Sequence, residues 1–240
     1  MDKSRQGYYE RGDEQMILRH YQKGWKGITH LINQAKQPFE TDKVLDNMTV
    51  IKTGEKTREQ VLSEWKEKAR RTRDRGIAIH EIVCNNVLRY RRGLPSLKSN
   101  NPLFAQFNDF WQTMRQNGKW LAYAELKVGD QDRKLQGSID LLMFNANTGD
   151  MHIIDIKAID NIPSSSDYGK SMQIPFRDLD DCKMNHYMLQ LSAYADILAK
   201  THIDAIMDSL YTCKIGGLLE RLQFKNGMKE PSLFVMLFSL

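Results

Sequence analysis

Two acids and a lysine stand where a buried strand would ordinarily carry aliphatic residues. Residues 137–159 read GSIDLLMFNANTGDMHIIDIKAI, two apolar runs joined by a short polar stretch, with Asp140 in the first run and Asp155 in the second. Side chains alternate faces along a strand, so Asp155 and Lys157 share one face while Ile154 and Ile156 share the other. If NANTGD (145–150) closes a symmetric hairpin, facing residues have numbers summing to 295 and Asp140 lies opposite Asp155. Like charges at a cross-strand spacing of roughly 4.5–5.5 Å destabilise a sheet unless something positive lies between them. A divalent cation is the natural occupant, since hard carboxylate oxygens suit Mg²⁺ or Mn²⁺. Lys157 could then orient or stabilise a hydroxide generated at the ion. D-x-K alone is also explained by an exposed edge strand with two charges. Ile153, Ile154 and Ile156, and the acid on the partner strand, make an edge the less comfortable explanation.

Three further residues bear on that chemistry. His80 lies one helical turn from Ile77, Val83 and Cys84, which fits a hydrogen-bonded core histidine as well as a ligand. HEIVC lacks a second histidine four positions on, which excludes the helical zinc-protease motif. Gln190 and Tyr194 are helical neighbours, with Tyr187 and Lys183 extending their face. That face is expected to be distinct from an apolar stripe of Met184, Met188, Leu191, Ala195 and Leu198, and could either contact a phosphodiester strand or form a wetted flank.

The elements that must position these groups follow from periodicity. Short helices are expected near 14–23 and 28–35, and TREQ (57–60) is a capping box opening a helix to about residue 75. Gly76 is expected to interrupt it before residues 77–90 resume, with Gly93 and Pro95 as stop signals. A helix over 103–116 precedes strands at 120–128, 134–144 and 151–159, an antiparallel meander. A loop (160–182), a helix (183–200) and strands near 205–214, 218–225 and 232–239 complete an α/β or α+β pattern with one mixed sheet.

Composition sets limits on the rest. A chain of 240 residues, 41% hydrophobic and 27% charged, suits one large domain. The start, MDKSRQGYYERGDEQ, has no apolar targeting core, and no segment approaches the roughly 20 apolar residues of a membrane span. The expectation is a soluble intracellular protein. Cys84, Cys182 and Cys213 form no CxxC pair, so neither a disulfide framework nor a zinc or iron–sulfur cluster is indicated. The net charge of +5 is compatible with a polyanionic partner without requiring one. The densest basic run, KEKARRTRDR (66–75), reads equally as a solvated helix face.

Together, GIAIH (76–80), GSID (137–140), DIK (155–157) and QLSAY (190–194) stand in the order and approximate spacing of the PD-(D/E)XK nucleases of the RecB type, which the chain resembles over about residues 28–200. Residues 28–44 and 57–81 are similar to the N-terminal part of phage and large-virus exonucleases, relatives of mitochondrial genome maintenance exonuclease. The family often has Thr at the place of Ile77 and Thr or Ser at that of Ala158, departures that touch substrate contacts rather than charged groups. The resemblance implies a restriction-endonuclease-like α/β fold, a mixed central sheet flanked by helices. It implies one domain over 1–240, with an N-terminal helical extension (1–56) and a nuclease core (57–240). His80, Asp140 and Asp155 would bind one or two Mg²⁺ or Mn²⁺ ions with the Ile156 carbonyl, and no iron–sulfur cluster. Lys157 would assist the attacking water, Gln190 and Tyr194 would position the strand, and Glu125 would join the acidic cleft. Arg70, Arg71, Arg73, Arg75, Arg133, Lys134 and Lys183 are candidates for DNA phosphates. The implied activity is a metal-dependent DNA exonuclease of viral or phage recombination, replication or repair. It would act on single-stranded or free-ended DNA in a host-cell cytoplasm, alongside a recombination or replication protein. An endonuclease of the same fold and a non-catalytic nucleic-acid-binding subunit are the alternatives.

Overall fold

The computed structural model describes residues 23–201, apart from 98, 99, 101, 117–119, 146, 160, 161, 167 and 168, together with 232–237. Strand β1 is Lys26–Gly27, followed by helices α1 (Ile28–Gln34), α2 (Thr41–Asn47), α3 (Thr49–Lys52), α4 (Arg58–Arg91) and α5 (Pro102–Gln116). Strands β2 (Trp120–Asp130), β3 (Leu135–Asn145) and β4 (Met151–Lys157) form the meander, and α6 (Lys183–Thr201) and β5 (Ser232–Leu237) complete the described elements. The strands expected at 205–214 and 218–225, Cys213 and, but for residue 23, the helix near 14–23 lie outside the described residues. Among those residues no helix is long and apolar enough to cross a membrane.

The result is a mixed α/β architecture, an open mixed sheet with helices on both faces. β2 and β4 pair antiparallel with β3, and β5 pairs parallel with β4. One face is covered by α1 and α6 through Ile28, Ile32, Leu191 and Ile197, the other by α4 and α5 through Ile79, Val83, Phe107 and Trp111. The hairpin register follows the symmetric expectation: Leu141 pairs with Ile154 and Phe144 with Met151. The segment read as an N-terminal extension contributes to this body, since β1 pairs parallel with Leu135 and Gln136 and α1 lies in the core.

The sheet departs from regularity in two ways. β1 and β4 both pair with β3, and their partners lie at separate places, Leu135–Gln136 for β1 and Leu141–Phe144 for β4. Residues 137–140 therefore form a gap between the two ladders. The strands also turn over there. Ile139 packs with α1 and α6, yet Leu141, which a regular strand would keep on the same face, packs with α4 and α5. On β2, Leu126 and Ala124 divide the same way. The switch falls between the pairs Ala124–Leu141 and Leu126–Ile139, at Glu125 and Asp140, and Glu125 has φ 53°. Carboxylates interrupt apolar strands where the strands exchange faces.

Gly76 does not interrupt the helix, contrary to the sequence expectation. α4 is one 34-residue helix, about 51 Å long at 1.5 Å per residue. A glycine inside a helix costs about 1 kcal/mol but removes no hydrogen bond, unlike proline, and the flanking turns carry it through. Thr57 caps the start: its side chain accepts from the Gln60 amide at 3.2 Å, and Gln60 Oε1 accepts from the Thr57 amide at 2.8 Å. Arg58 ties this end to α2, donating to Asp42 at 2.7 Å and to Asp46. The other end is buried through Ile79, Val83 and Val87. Between them Lys68 to Asp74 are exposed on every side of the helix.

Candidate functional site

Strand β3 supplies Asp140 at the gap. Its Oδ2 accepts the Ile156 backbone N–H at 2.8 Å, so a side-chain carboxylate takes up a β4 amide just beyond the described β3–β4 ladder. From β4, Asp155 and Lys157 enter on one side, as alternation predicts: Lys157 Nζ lies 2.7 Å from Asp155 Oδ1 and 3.9 Å from Asp140 Oδ2. Lys157 also stands 5.0 Å over the Tyr187 ring of α6, a cation–π contact. His80 reaches in from α4, its Nδ1 2.7 Å from Glu125 Oε1 and its Nε2 3.8 Å from Asp140 Oδ2. Gln190 Nε2 donates to Asp155 Oδ1 and to the Tyr194 hydroxyl, each at 3.3 Å.

The electrostatics are those of crowded, partly buried acids. Asp155 is 2% exposed, and its carboxyl is pushed up to about 7, first by burial and then by Asp140, against the opposing pull of Lys157. Asp155 Oδ2 is buried with no hydrogen-bond partner. Burial works against charge on Lys157, but Asp140 and Asp155 outweigh it and raise its pKa. His80 is raised similarly: burial opposes its charge, and the Glu125 hydrogen bond and the Asp140 charge prevail. The lysine ammonium is thus the positive group between the two strand acids here.

These residues fit a hard divalent cation. His80, Glu125 and Asp140 each offer a ligand-type atom within 4.8 Å of the others, and Asp155 holds a buried oxygen without a donor. The donors are carboxylate oxygens, which suit hard cations, together with one imidazole.

One concavity opens on the cluster, and a second lies along α4. A cleft of about 500 Å³ is lined by Arg73, Gly76, His80, Glu125, Asp140 and Gln190, with the β1–α1 junction as its far wall. A groove of about 960 Å³ runs beneath the exposed span of α4, with Glu67, Arg71 and Arg75 on one wall and Ala158, Ile159 and Lys183 on the other.

Comparisons with protein-family models, with curated proteins and with solved structures find no match. The geometry of the site is therefore the basis for its chemistry.

Of the residues singled out by sequence, His80, Glu125, Asp140, Asp155, Lys157 and Gln190 come together as polar groups. Tyr194 lines the cleft beside Gln190, although most of its ring is core. It is 2% exposed and belongs to the core with Leu191, Ile197 and Leu198, while Met188 is exposed, so the true stripe of α6 is rotated from the expected one. The tyrosine ring is an apolar body whose hydroxyl alone needs a partner, which Gln190 supplies. That ring also explains Gly137: a β-carbon there would lie 2.3 Å from Tyr194 Cε1. Arg73, Arg71, Arg75 and Lys183 line the two concavities, but Arg70 is turned to Glu67 and Asp74. Arg71 also pairs with Glu67, at 2.8 Å. Arg133 is held by Asp130 and by Asp196, the latter at 2.7 Å, and with Lys134 sits on the β2–β3 turn, outside the lining of either concavity. Sequence reasoning missed Ser138, whose hydroxyl donates to Glu125 Oε2 at 3.3 Å. The S-x-D alternation within an apolar strand was the signal available for it.

Proposed function

We propose that the protein is a metal-dependent nuclease with a restriction-endonuclease-like core of the RecB type, hydrolysing phosphodiester bonds of DNA from strand ends. The observation that carries this reading is the meeting of Asp155, Lys157, Asp140 and His80 in the gap along β3, with one Asp155 oxygen buried and unpartnered. Asp140, Asp155 and His80 Nε2, with the Ile156 carbonyl, are the groups that would hold Mg²⁺ or Mn²⁺. Such an ion, when bound, supplies charge neutralisation at the phosphate and a lowered pKa for water. Lys157, kept protonated by its acids and braced over Tyr187, stabilises negative charge at the attacking oxygen. Gln190 holds the Asp155 carboxylate against α6.

The preference for ends rests on α4. A helix fixed at both ends and bare between them, with a groove beneath lined by Arg71, Arg75 and Lys183, suits a single strand entering by its terminus better than a continuous duplex. Viral or phage recombination, replication or repair, with a partner protein of those processes, is the setting that the sequence resemblance suggests.

The test is a matched pair of linear and circular single-stranded DNAs of one sequence, incubated with Mg²⁺ or Mn²⁺. Progressive shortening of the linear form alone is expected. Equal loss of both forms would replace this reading with internal cutting, and survival of both would leave a binding protein.

A further inference from the structure

The side chain of Glu125 is the least explained of the cluster. It lies in a conformation that a β-carbon disfavours, with φ 53°, and among the described residues only Lys134 shares that feature outside glycine. A regular strand would have kept its side chain on one of the two helical faces. The left-handed backbone instead accompanies a carboxylate with both oxygens engaged, Oε1 with His80 Nδ1 at 2.7 Å and Oε2 with the Ser138 hydroxyl at 3.3 Å. His80 then has its other nitrogen 3.8 Å from Asp140 Oδ2. The imidazole stands between two carboxylates, one hydrogen-bonded to it and the other beyond bonding distance.

We propose that Glu125 is a positioning residue: it holds the His80 ring in the Nδ1–H tautomer, so that the bare Nε2 faces Asp140 as a ligand for a divalent cation. This rests on the reading of the cluster as a cation site and assigns Glu125 a different part from His80, Asp140 and Asp155. A carboxylate that receives the far N–H of a ligating histidine fixes its orientation and raises its basicity, and loss of such a partner costs about 10–100-fold in metal affinity. Both Glu125 oxygens are already engaged, one by His80 and one by Ser138, which suits the positioning part. Ser138 acts on Glu125 as Glu125 acts on His80, holding the second oxygen so that the first stays aimed at the ring.

The experiment uses metal-free protein carrying ¹⁵N-labelled histidine, in alkaline buffer where the imidazole is neutral, with Mn²⁺ affinity measured in parallel by calorimetry. In the wild type the His80 nitrogen shifts should report the Nδ1–H tautomer. Glu125→Ala and Glu125→Gly should both shift His80 toward the Nε2–H form and weaken Mn²⁺ binding by about 10–100-fold. The glycine variant also removes the backbone strain, so a fall in affinity without a fall in melting temperature separates positioning from folding. Glu125→Gln, which keeps an acceptor oxygen, should restore the wild-type tautomer and most of the affinity. An Nε2–H tautomer in the wild type, or unchanged tautomer and affinity in the glycine variant, would overturn the proposal. Asp155→Ala distinguishes the two levels. Mn²⁺ binding that responds to Asp155→Ala but not to Glu125→Gly removes Glu125's part and spares the cation site, whereas no Mn²⁺ binding by the wild type removes both.

Discussion

The two halves of α4 are one unbroken helix built for opposite surroundings. From Ile79 onward it is a core element, with Ile79, Val83 and Val87 buried at the face against the sheet. From Arg58 to Ala78 only Val61 is buried, and the stretch is held by its cap, by Arg58 and by pairs such as Arg71–Glu67. Hydrophobic packing accounts for the shape of the second half and says nothing about the first. An exposed helical span that buries almost nothing contributes little to stability. His80 sits just inside the boundary, placed by the buried half.

The largest expected effect belongs to the site that the buried half supports. Asp155→Ala or Asp140→Ala should lower cleavage on the order of 10³-fold, with the far-ultraviolet dichroism unchanged, and wild-type turnover in either would refute the site. Asp155→Asn should do the same to cleavage while raising the melting temperature of metal-free protein. The sign follows from a folded-state pKa raised from 3.8 to about 7: the protonated acid favours the fold at low pH, and that stability is lost as pH rises through about 7. The wild type should therefore lose stability across that window relative to the asparagine variant.

Next in size is the packing contrast within α4. Ile79→Ala, at a fully buried position, should cost about 2–5 kcal/mol in denaturant unfolding. Thr72→Pro, in the bare span, carries a helix penalty of about 3 kcal/mol but should leave the denaturant midpoint of the body nearly unchanged. It should instead erase the preference for linear over circular DNA. A large loss of global stability in Thr72→Pro would mean that the two halves fold as one. The smallest effect is expected for Arg71→Ala, which should weaken DNA binding modestly and reduce the salt slope by about 0.7, with no change in melting temperature.

Much of this arrangement is legible in the sequence because it depends on short-range rules. Alternation puts Asp155 and Lys157 together, the symmetric turn puts β4 in register with β3, and the capping box marks the start of α4. What escapes has specific causes. Nothing local in the sequence announces a glutamate with positive φ, so the exchange of faces at Glu125 and Asp140 is invisible there. The hydroxyl of Tyr194 suggests a polar role, although its ring decides where it packs, against Gly137. Gly76 suggests a break that only proline makes reliably in the middle of a helix.

The gap along β3 is framed on one side by β1, and that wall is remote in sequence. The Gln136 side chain donates to the Trp25 carbonyl across 111 positions, whereas the hairpin on the other side closes through a six-residue turn region at 145–150. Local hairpins form in microseconds, and contacts closing long loops bear a greater entropic cost and are made later. The two strand acids are thus brought together early, by neighbours, and the cleft that would receive a substrate is finished only when the N-terminal segment returns to the sheet. A nascent or partly unfolded chain carries the acids without the enclosure.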